Sequence, residues 1–303
     1  MTKPGSPLLT TVAVVGGGIN GLCCAWQLAL RGAKVTLFEQ HRLFDTQQDR
    51  PCGSLHGGMH HLTNGELRLT YEALQERQWL WQQCPDLCSP TTVTVPLYQD
   101  SPRGKWLVNG GLYLHDYLVG SPELRRHHWL RRSRLVVNAP DLHTEKLLGA
   151  YQYHELSIEE PLLLRWIAQQ ARAAGAQIAD NSPIRHIGSD GTVRLDSYRH
   201  QFDFVVNAAG QWSQQLLQQS GLRSKYQSQL IRNSSVIFEG EQSGAFHLPL
   251  NRETHNLYVV PGRGCTVVGT TSRAQQQDTP GEMTRQDIDY LLFHYNRHFK
   301  RQR

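Results

Sequence analysis

Thr11-Val12-Ala13-Val14-Val15-Gly16-Gly17-Gly18-Ile19-Asn20-Gly21 is the stretch that decides the fold of this chain. Its first five residues are apolar and β-branched, the pattern of a strand buried in a parallel sheet. The glycines that follow satisfy G-x-G-x-x-G, and each has a separate task. Gly16 permits the tight turn out of the strand, Gly18 lets backbone approach a pyrophosphate, and Gly21 lets the next helix pack closely on the sheet. That helix, expected over Leu22 to Arg31, presents its N-terminal amides and dipole to a diphosphate. Gly16, Gly18, Ile19, Asn20 and Gly21 are therefore the expected cofactor contacts of the turn. Gly32 ends the helix, Lys34 to Phe38 forms a second strand, and Glu39 follows 18 residues after Gly21. An acid at that place accepts hydrogen bonds from an adenosine ribose. Strand, glycines, helix, strand and acid in this order make a dinucleotide-binding βαβ unit.

Which dinucleotide is decided further along. A nicotinamide-binding domain continues from its second strand into another short helix and strand. Here a polar stretch, His41 to Arg50, leads into Pro51-Cys52-Gly53-Ser54-Leu55-His56-Gly57-Gly58. That segment reads as neither helix nor strand, and Gly57 and Gly58 allow backbone to lie against a flat ring. An extended cofactor running past Gly53, Ser54, Gly57 and Gly58 is FAD. Downstream, Phe202 to Val206 reads as a strand ending in Asn207-Ala208-Ala209-Gly210, followed by Gln211-Trp212 and a helix through Leu217. Small residues such as Ala208 and Gly210 at a strand's carboxyl end let the backbone pass beside a ligand. Ile184 falls where a later strand can contact the adenine end.

The expected fold class is α/β: a Rossmann-like FAD-binding domain assembled from segments 1–92 and 151–222. An α+β substrate domain with a mixed or antiparallel sheet takes 93–150 and 223–303. Leu67 to Gln83 and Leu162 to Ala174 read as helices, and Ala176 to Ala179 as a strand. The 303 residues are 39% hydrophobic, enough for a substantial core. No apolar run approaches the roughly 20 residues of a membrane-spanning helix, and Met1 to Leu9 is too short for a secretory leader. The expected location is cytoplasmic, or peripheral on the inner face of the membrane. Cys23 and Cys24 are expected in the core of the first helix; Cys84 and Cys88, four apart, have no partner pair at zinc-like spacing and read as small buried residues. The formal charge of +5 gathers in Arg125 to Arg134, which interleaves bases with Trp129. This segment is either a contact for anionic lipid or a solvated charged face. No nucleic-acid module surrounds it.

Several further segments carry a resemblance. They include Leu55-His56-Gly57-Gly58, Glu66-Leu67-Arg68-Leu69 with Glu72-Ala73-Leu74, Val95-Pro96-Leu97-Tyr98 and Gly111-Leu112-Tyr113-Leu114-His115-Asp116-Tyr117-Leu118. Val206-Asn207-Ala208-Ala209-Gly210-Gln211-Trp212, Val268-Gly269-Thr270-Thr271 and Tyr295-Asn296-Arg297-His298-Phe299 belong with them. Together with the glycine turn they resemble the flavin-dependent glycerol-3-phosphate dehydrogenase family, within the D-amino-acid-oxidase-like flavoproteins. The resemblance implies oxidation of a small polyol phosphate by hydride transfer to flavin, followed by electron transfer to an acceptor such as a membrane quinone.

The departures bear on substrate. Where the family has Leu-Arg-Tyr after the second glycine, this chain has Met59-His60-His61. The family's Lys-Gly-Ser-His becomes Arg232-Asn233-Ser234-Ser235, and the acid after Gly-Thr-Thr becomes Ser272. Family members continue past the equivalent of Phe299 with an Arg-Pro segment and a Gly-Gly-Lys-Thr-Thr segment, so the C-terminal return to the FAD domain is expected to be missing. His56 is a titratable candidate for catalysis; its structural alternative is to bond loop backbone or cofactor phosphate. Thr270 is a second catalytic candidate, with packing as its alternative. His60 and Arg232 are candidates for an anionic substrate, although a surface ion pair is the commoner fate of an arginine. Adjacent His60 and His61 are expected to point apart, and no metal site is expected. Three functions stay open: a polyol-phosphate dehydrogenase, an amine or hydroxy-acid oxidase of the same group, and a non-catalytic relative.

Overall fold

The computed structural model describes residues 10–45, 53–119, 126–250, 256–262, 264–275 and 283–303, with backbone alone at 53–55. The expectations for 46–52 and for Arg125 lie outside these residues. Two compact units emerge: 1–49, 160–230 and 274–279 in the first, and 50–159, 231–273 and 280–303 in the second. The boundaries differ from those expected, since 50–92 falls in the second unit.

In the first unit, strands Phe204–Asn207, Thr11–Val15, Lys34–Phe38 and Gln177–Ala179 lie side by side in that order, all parallel. The central pair is buried on both faces, as a parallel sheet requires: Val12, Ala13, Val14, Val35 and Leu37 are all within the core. Register aligns the carboxyl ends, with Val15 opposite both Phe38 and Asn207, and Phe38 opposite Ala179. Four chain segments therefore leave the sheet along one edge. Helix Ile19–Leu30 begins three residues earlier than expected and buries Gly21, Leu22, Ala25, Trp26 and Ala29. Spacings of three and four put those residues on one face, leaving Cys23 and Cys24 half-buried outside the expected core. Helix Glu160–Ala173 packs on it, with Trp26 and Trp166 edge to face at 5.4 Å. A three-stranded antiparallel sheet, His186–Ile187, Thr192–Arg194 and Arg199–Gln201, supplies Ile187 and Val193 to a core shared with Ala13, Val15, Phe38 and Leu216.

The second unit is a mixed sheet in the order Leu230–Glu239, Cys265–Gln275, Leu257–Gly262, Ala245–Leu248, Cys88–Tyr98, Leu147–Ile158 and Gly53–Leu55. His128–Arg131 pairs with Leu147–Ile158 as well. Side-chain alternation gives the sheet two apolar faces. Ala150, Phe246, Leu248, Val259 and Val268 pack with Leu291, Tyr295 and Phe299 in one core cluster. Val93, Val95, Leu97, Tyr151, Tyr153 and Ala245 pack with Met59 and Leu112 in the other. Two expectations need correction. Gly53–Leu55 is a strand, paired antiparallel with Leu156–Ile158. Trp129 does not stand out among the exposed arginines; its ring abuts Gly149 and Tyr151, with the Lys105 ammonium 3.9 Å above it. Arg126, Arg131, Arg132 and Arg134 do remain exposed. Among the described residues no helix is long and apolar enough to cross a membrane.

His247 is buried on the second face and stacked on Tyr258 with ring centroids 4.6 Å apart. Burial, and then the charge of Arg103, push its imidazole down to about 4 against a bond it donates to the Asn256 side chain. The unfolded chain therefore takes up this proton first as pH falls, and folded stability drops between about pH 6.5 and pH 4. The full contribution is about 3 kcal/mol. Denaturant unfolding of the native chain and of His247→Leu across that window should show a pH-dependent difference of this size. Parallel curves would remove the assignment.

Candidate functional site

Along the carboxyl edge of the parallel sheet lies a cavity of about 330 Å³, bordered by Gly16, Gly18, Glu39, Ile184, Ala208 and Gly210. Six positions singled out in four separate segments thus meet at one place, because the strand register brings those segments out together. Backbone closeness explains two of the glycines. Gly16 has φ of +108°, and a Cβ on it would stand 2.4 Å from the Ala208 carbonyl oxygen. A Cβ on Gly21 would stand 1.8 Å from the Gly16 oxygen. Gly18 differs: its backbone is extended, and a Cβ there would meet nothing within 4 Å. The space it leaves open is at the start of a 12-residue helix whose N-cap provides no side-chain acceptor. The first-turn amides are thus free of a side-chain cap, and an anion suits them by hydrogen bond and by dipole. Glu39 reaches back to the turn. One carboxylate oxygen accepts the Gly17 amide at 2.6 Å and the other the His41 amide at 3.0 Å. Uncapped amides, an open glycine and an acid at the next strand end fit a dinucleotide diphosphate and its ribose. Arg185 and Trp212 also border this cavity; each adjoins a residue or motif already singled out, but neither side chain carried a signal of its own.

The remaining candidates belong to the second unit. His56 follows strand Gly53–Leu55, and its Nδ1 accepts the Gly58 amide at 3.3 Å. A neutral imidazole bonded this way carries its proton on Nε2. Gly57 and Gly58 are buried, and Gly58 has φ of +71° as N-cap of the short helix Met59–Thr63. His60 and His61 do not point apart: their rings lie 3.8 Å centre to centre, and His56 sits 4.9 Å from His60. On so short a helix, capped by a left-handed glycine, the rings of successive residues can fold against one another. Partial burial and the neighbouring imidazoles push His60 below the ordinary histidine value. His61 bonds Glu66 at 2.8 Å.

Arg232 donates to Asp287 at 2.9 Å, and Arg273 binds the other oxygen of the same buried carboxylate. Burial would raise Asp287, but its bonds from Arg273 and Thr284 outweigh that and hold the carboxyl low. Thr284 and Asp287 form a capping box at the start of helix Arg285–His298, and arginines on two strands share the same carboxylate. Thr270 is exposed on Cys265–Gln275, while Thr271 beside it is buried. Gly269 fits because Ser235 occupies the place of its missing side chain. The second unit also contains a mainly apolar cavity of about 260 Å³, bordered by Met59, Thr63, Arg103, Tyr153 and His247.

Comparison with known proteins gives one family and several relatives. A family model described as FAD dependent oxidoreductase matches residues 11–303. The chain is 31% identical to a glycerol-3-phosphate dehydrogenase of Pseudomonas aeruginosa, over 99% of this chain and 60% of that protein. It is 29% identical to a D-erythritol 1-phosphate dehydrogenase of Brucella abortus, over 95% and 59%. The fold superimposes on a glycerol-3-phosphate dehydrogenase from Bacillus halodurans complexed with FAD, with a TM-score of 0.71 at 22% identity, over 98% of this chain and 54% of that one. The chain thus spans little more than half the length of these relatives.

The two kinds of glycine can be separated experimentally. Gly21→Ala forces the helix away from the Gly16 carbonyl and should cost about 1–3 kcal/mol or more in denaturant unfolding. Gly18→Ala should leave stability within about 0.5 kcal/mol yet weaken FAD binding at least about tenfold, read by flavin fluorescence quenching. Equal affinity in Gly18→Ala and the native chain would show that no diphosphate lies there.

Proposed function

The chain belongs to the family of FAD-dependent oxidoreductases, and from that premise we propose that it serves to oxidise a small polyol phosphate, glycerol 3-phosphate or a near relative. The convergence of Gly16, Gly18, Glu39, Ile184, Ala208 and Gly210 on one cavity carries this reading. It stands beside similarity along nearly the whole chain to dehydrogenases of glycerol 3-phosphate and D-erythritol 1-phosphate.

In this proposal the first-turn amides of Ile19–Leu30 hold the diphosphate and Glu39 holds the adenosine ribose, with Ala208 and Gly210 passing beside the cofactor. When bound, FAD supplies a two-electron acceptor for the alcohol carbon. Gly57 and Gly58 let backbone meet the ring system. His56 braces that turn through Nδ1, which leaves Nε2 a donor rather than a base in this tautomer. His60, held below its ordinary value by partial burial and the neighbouring imidazoles, can take a substrate hydroxyl proton or donate to a phosphate oxygen. Arg232 contributes positive charge tempered by Asp287, and Thr270 an exposed hydroxyl on the neighbouring strand. The electron acceptor we take to be of the quinone class, and the exposed arginines between 126 and 134 support peripheral contact with an anionic surface.

One observation favours a second reading. With His60 where the resembled family has an arginine, and Arg232 tied to a carboxylate, neither of these two candidates offers an unshared positive charge to a phosphate. That suits an amine or hydroxy acid. Anaerobic addition of glycerol 3-phosphate to the FAD-loaded protein should bleach the visible flavin band. Bleaching by glycine or a 2-hydroxy acid alone would favour the second reading, and bleaching by none would reject both.

His60→Arg restores a permanent cation. It should lower KM for glycerol 3-phosphate about tenfold, roughly 1.4 kcal/mol, with kcat within about twofold. An unchanged KM would take His60 off the substrate.

A further inference from the structure

Helix Leu67–Gln83 buries Thr70, Leu74 and Arg77. Spacings of four and three place these on one face, and all three close on the Gly57-Gly58 turn. A Cβ on Gly58 would stand 3.2 Å from the Thr70 Cα; one on Gly57 would stand 2.5 Å from Leu74 Cδ2 and 2.7 Å from both Arg77 Nη1 and His115 Nε2. From the other side, the pairing of Leu55 with Leu156 brings the turn to Glu155. One oxygen of Glu155 accepts both Arg77 Nη1 at 2.8 Å and the Gly57 amide at 2.7 Å. The two side chains are only 2% and 5% exposed.

A buried ion pair is a weak device for stability, because desolvation of both charges offsets their attraction, and an apolar pair of equal volume holds a fold as well. What an apolar pair cannot do is accept a hydrogen bond from the amide of Gly57. A carboxylate does so strongly, and the guanidinium lies against the same oxygen.

We propose that Glu155 is a positioning residue for the cofactor: it holds the Gly57 amide, with Arg77 offsetting its charge in the core, and so fixes where the turn meets the flavin. The proposal rests on the reading that Gly57 and Gly58 lie along FAD.

Single substitutions would strand a buried charge, so two double variants of the full chain separate fold from function. Arg77→Met with Glu155→Gln removes both charges and keeps an oxygen for Gly57. Arg77→Met with Glu155→Met removes both charges and the acceptor. Amide hydrogen exchange at 56–58, together with FAD affinity and the visible flavin spectrum, is measured for each. The glutamine variant should keep slow exchange at Gly57 and bind FAD within about threefold of the native chain. The methionine variant should exchange at least about tenfold faster at Gly57, bind FAD at least about tenfold more weakly, and shift the flavin bands. Native affinity and spectrum in the methionine variant, or equal losses in both variants, would overturn the proposal. A native chain that takes up no FAD would overturn the flavin reading and this role together. Faster exchange with an unchanged flavin would overturn this role alone.

Discussion

The first unit depends on a place where three stretches of backbone meet with no room for a side chain between them. Gly16 lies between Gly21 and Ala208, with a gap too small for a Cβ on either side. The Gly16 amide donates to the Phe38 carbonyl at 2.8 Å, and the Ala208 amide donates to the Val15 carbonyl at 2.9 Å. Residues almost two hundred positions apart are locked in register by these contacts. The rest of the cavity follows: the helix starts where its amides are uncapped, Glu39 arrives within reach of Gly17, and Gly210 lies just past the end of its strand. A side chain at Gly16 or Gly21 would spoil the meeting itself, whereas one at Gly18 would fill the space the meeting leaves.

Much of this was readable because it is local. Strands Thr11–Val15 and Lys34–Phe38 and helix Leu67–Gln83 stand where their residue patterns put them, and the glycine spacing named the contacts of the turn. What escaped was set by distant partners. Gly53–Leu55 has three residues and no periodicity; only its pairing with Leu156–Ile158 makes it a strand. Arg77 sits in a polar helix among Gln and Glu, where an arginine normally faces water, and it is buried because Glu155 waits on a strand 78 positions away. Trp129 looked like an exposed ring among bases until Gly149 made room for it. The short helix that folds His60 onto His61 follows from the left-handed backbone at Gly58, which no residue pattern announces.

The two units also differ in what their sites are made of. Around the glycine turn the groups that would meet a ligand are amides, small residues and one acid, so recognition there is of a generic diphosphate and sugar. Such a site tolerates divergence everywhere except at close approaches, which is why it is legible at low identity. In the second unit the candidate groups are side chains: His56, His60, Arg232, Thr270. The departures from the family pattern concentrate among them or beside them, at Met59-His60-His61, Ser235 and Ser272.

That concentration has an electrostatic consequence. An arginine remains charged at any physiological pH and presents a planar fork to phosphate; a histidine partly buried beside two other imidazoles is pushed below the ordinary histidine value. Arg232 does not compensate, because the Asp287 carboxylate it touches is kept ionised by Arg273 and Thr284. Two guanidiniums on one carboxylate leave a net positive charge spread around Asp287. In the proposed function, a phosphorylated polyol would be told from a smaller carboxylate by the placement of hydrogen-bond donors more than by the charge around Asp287.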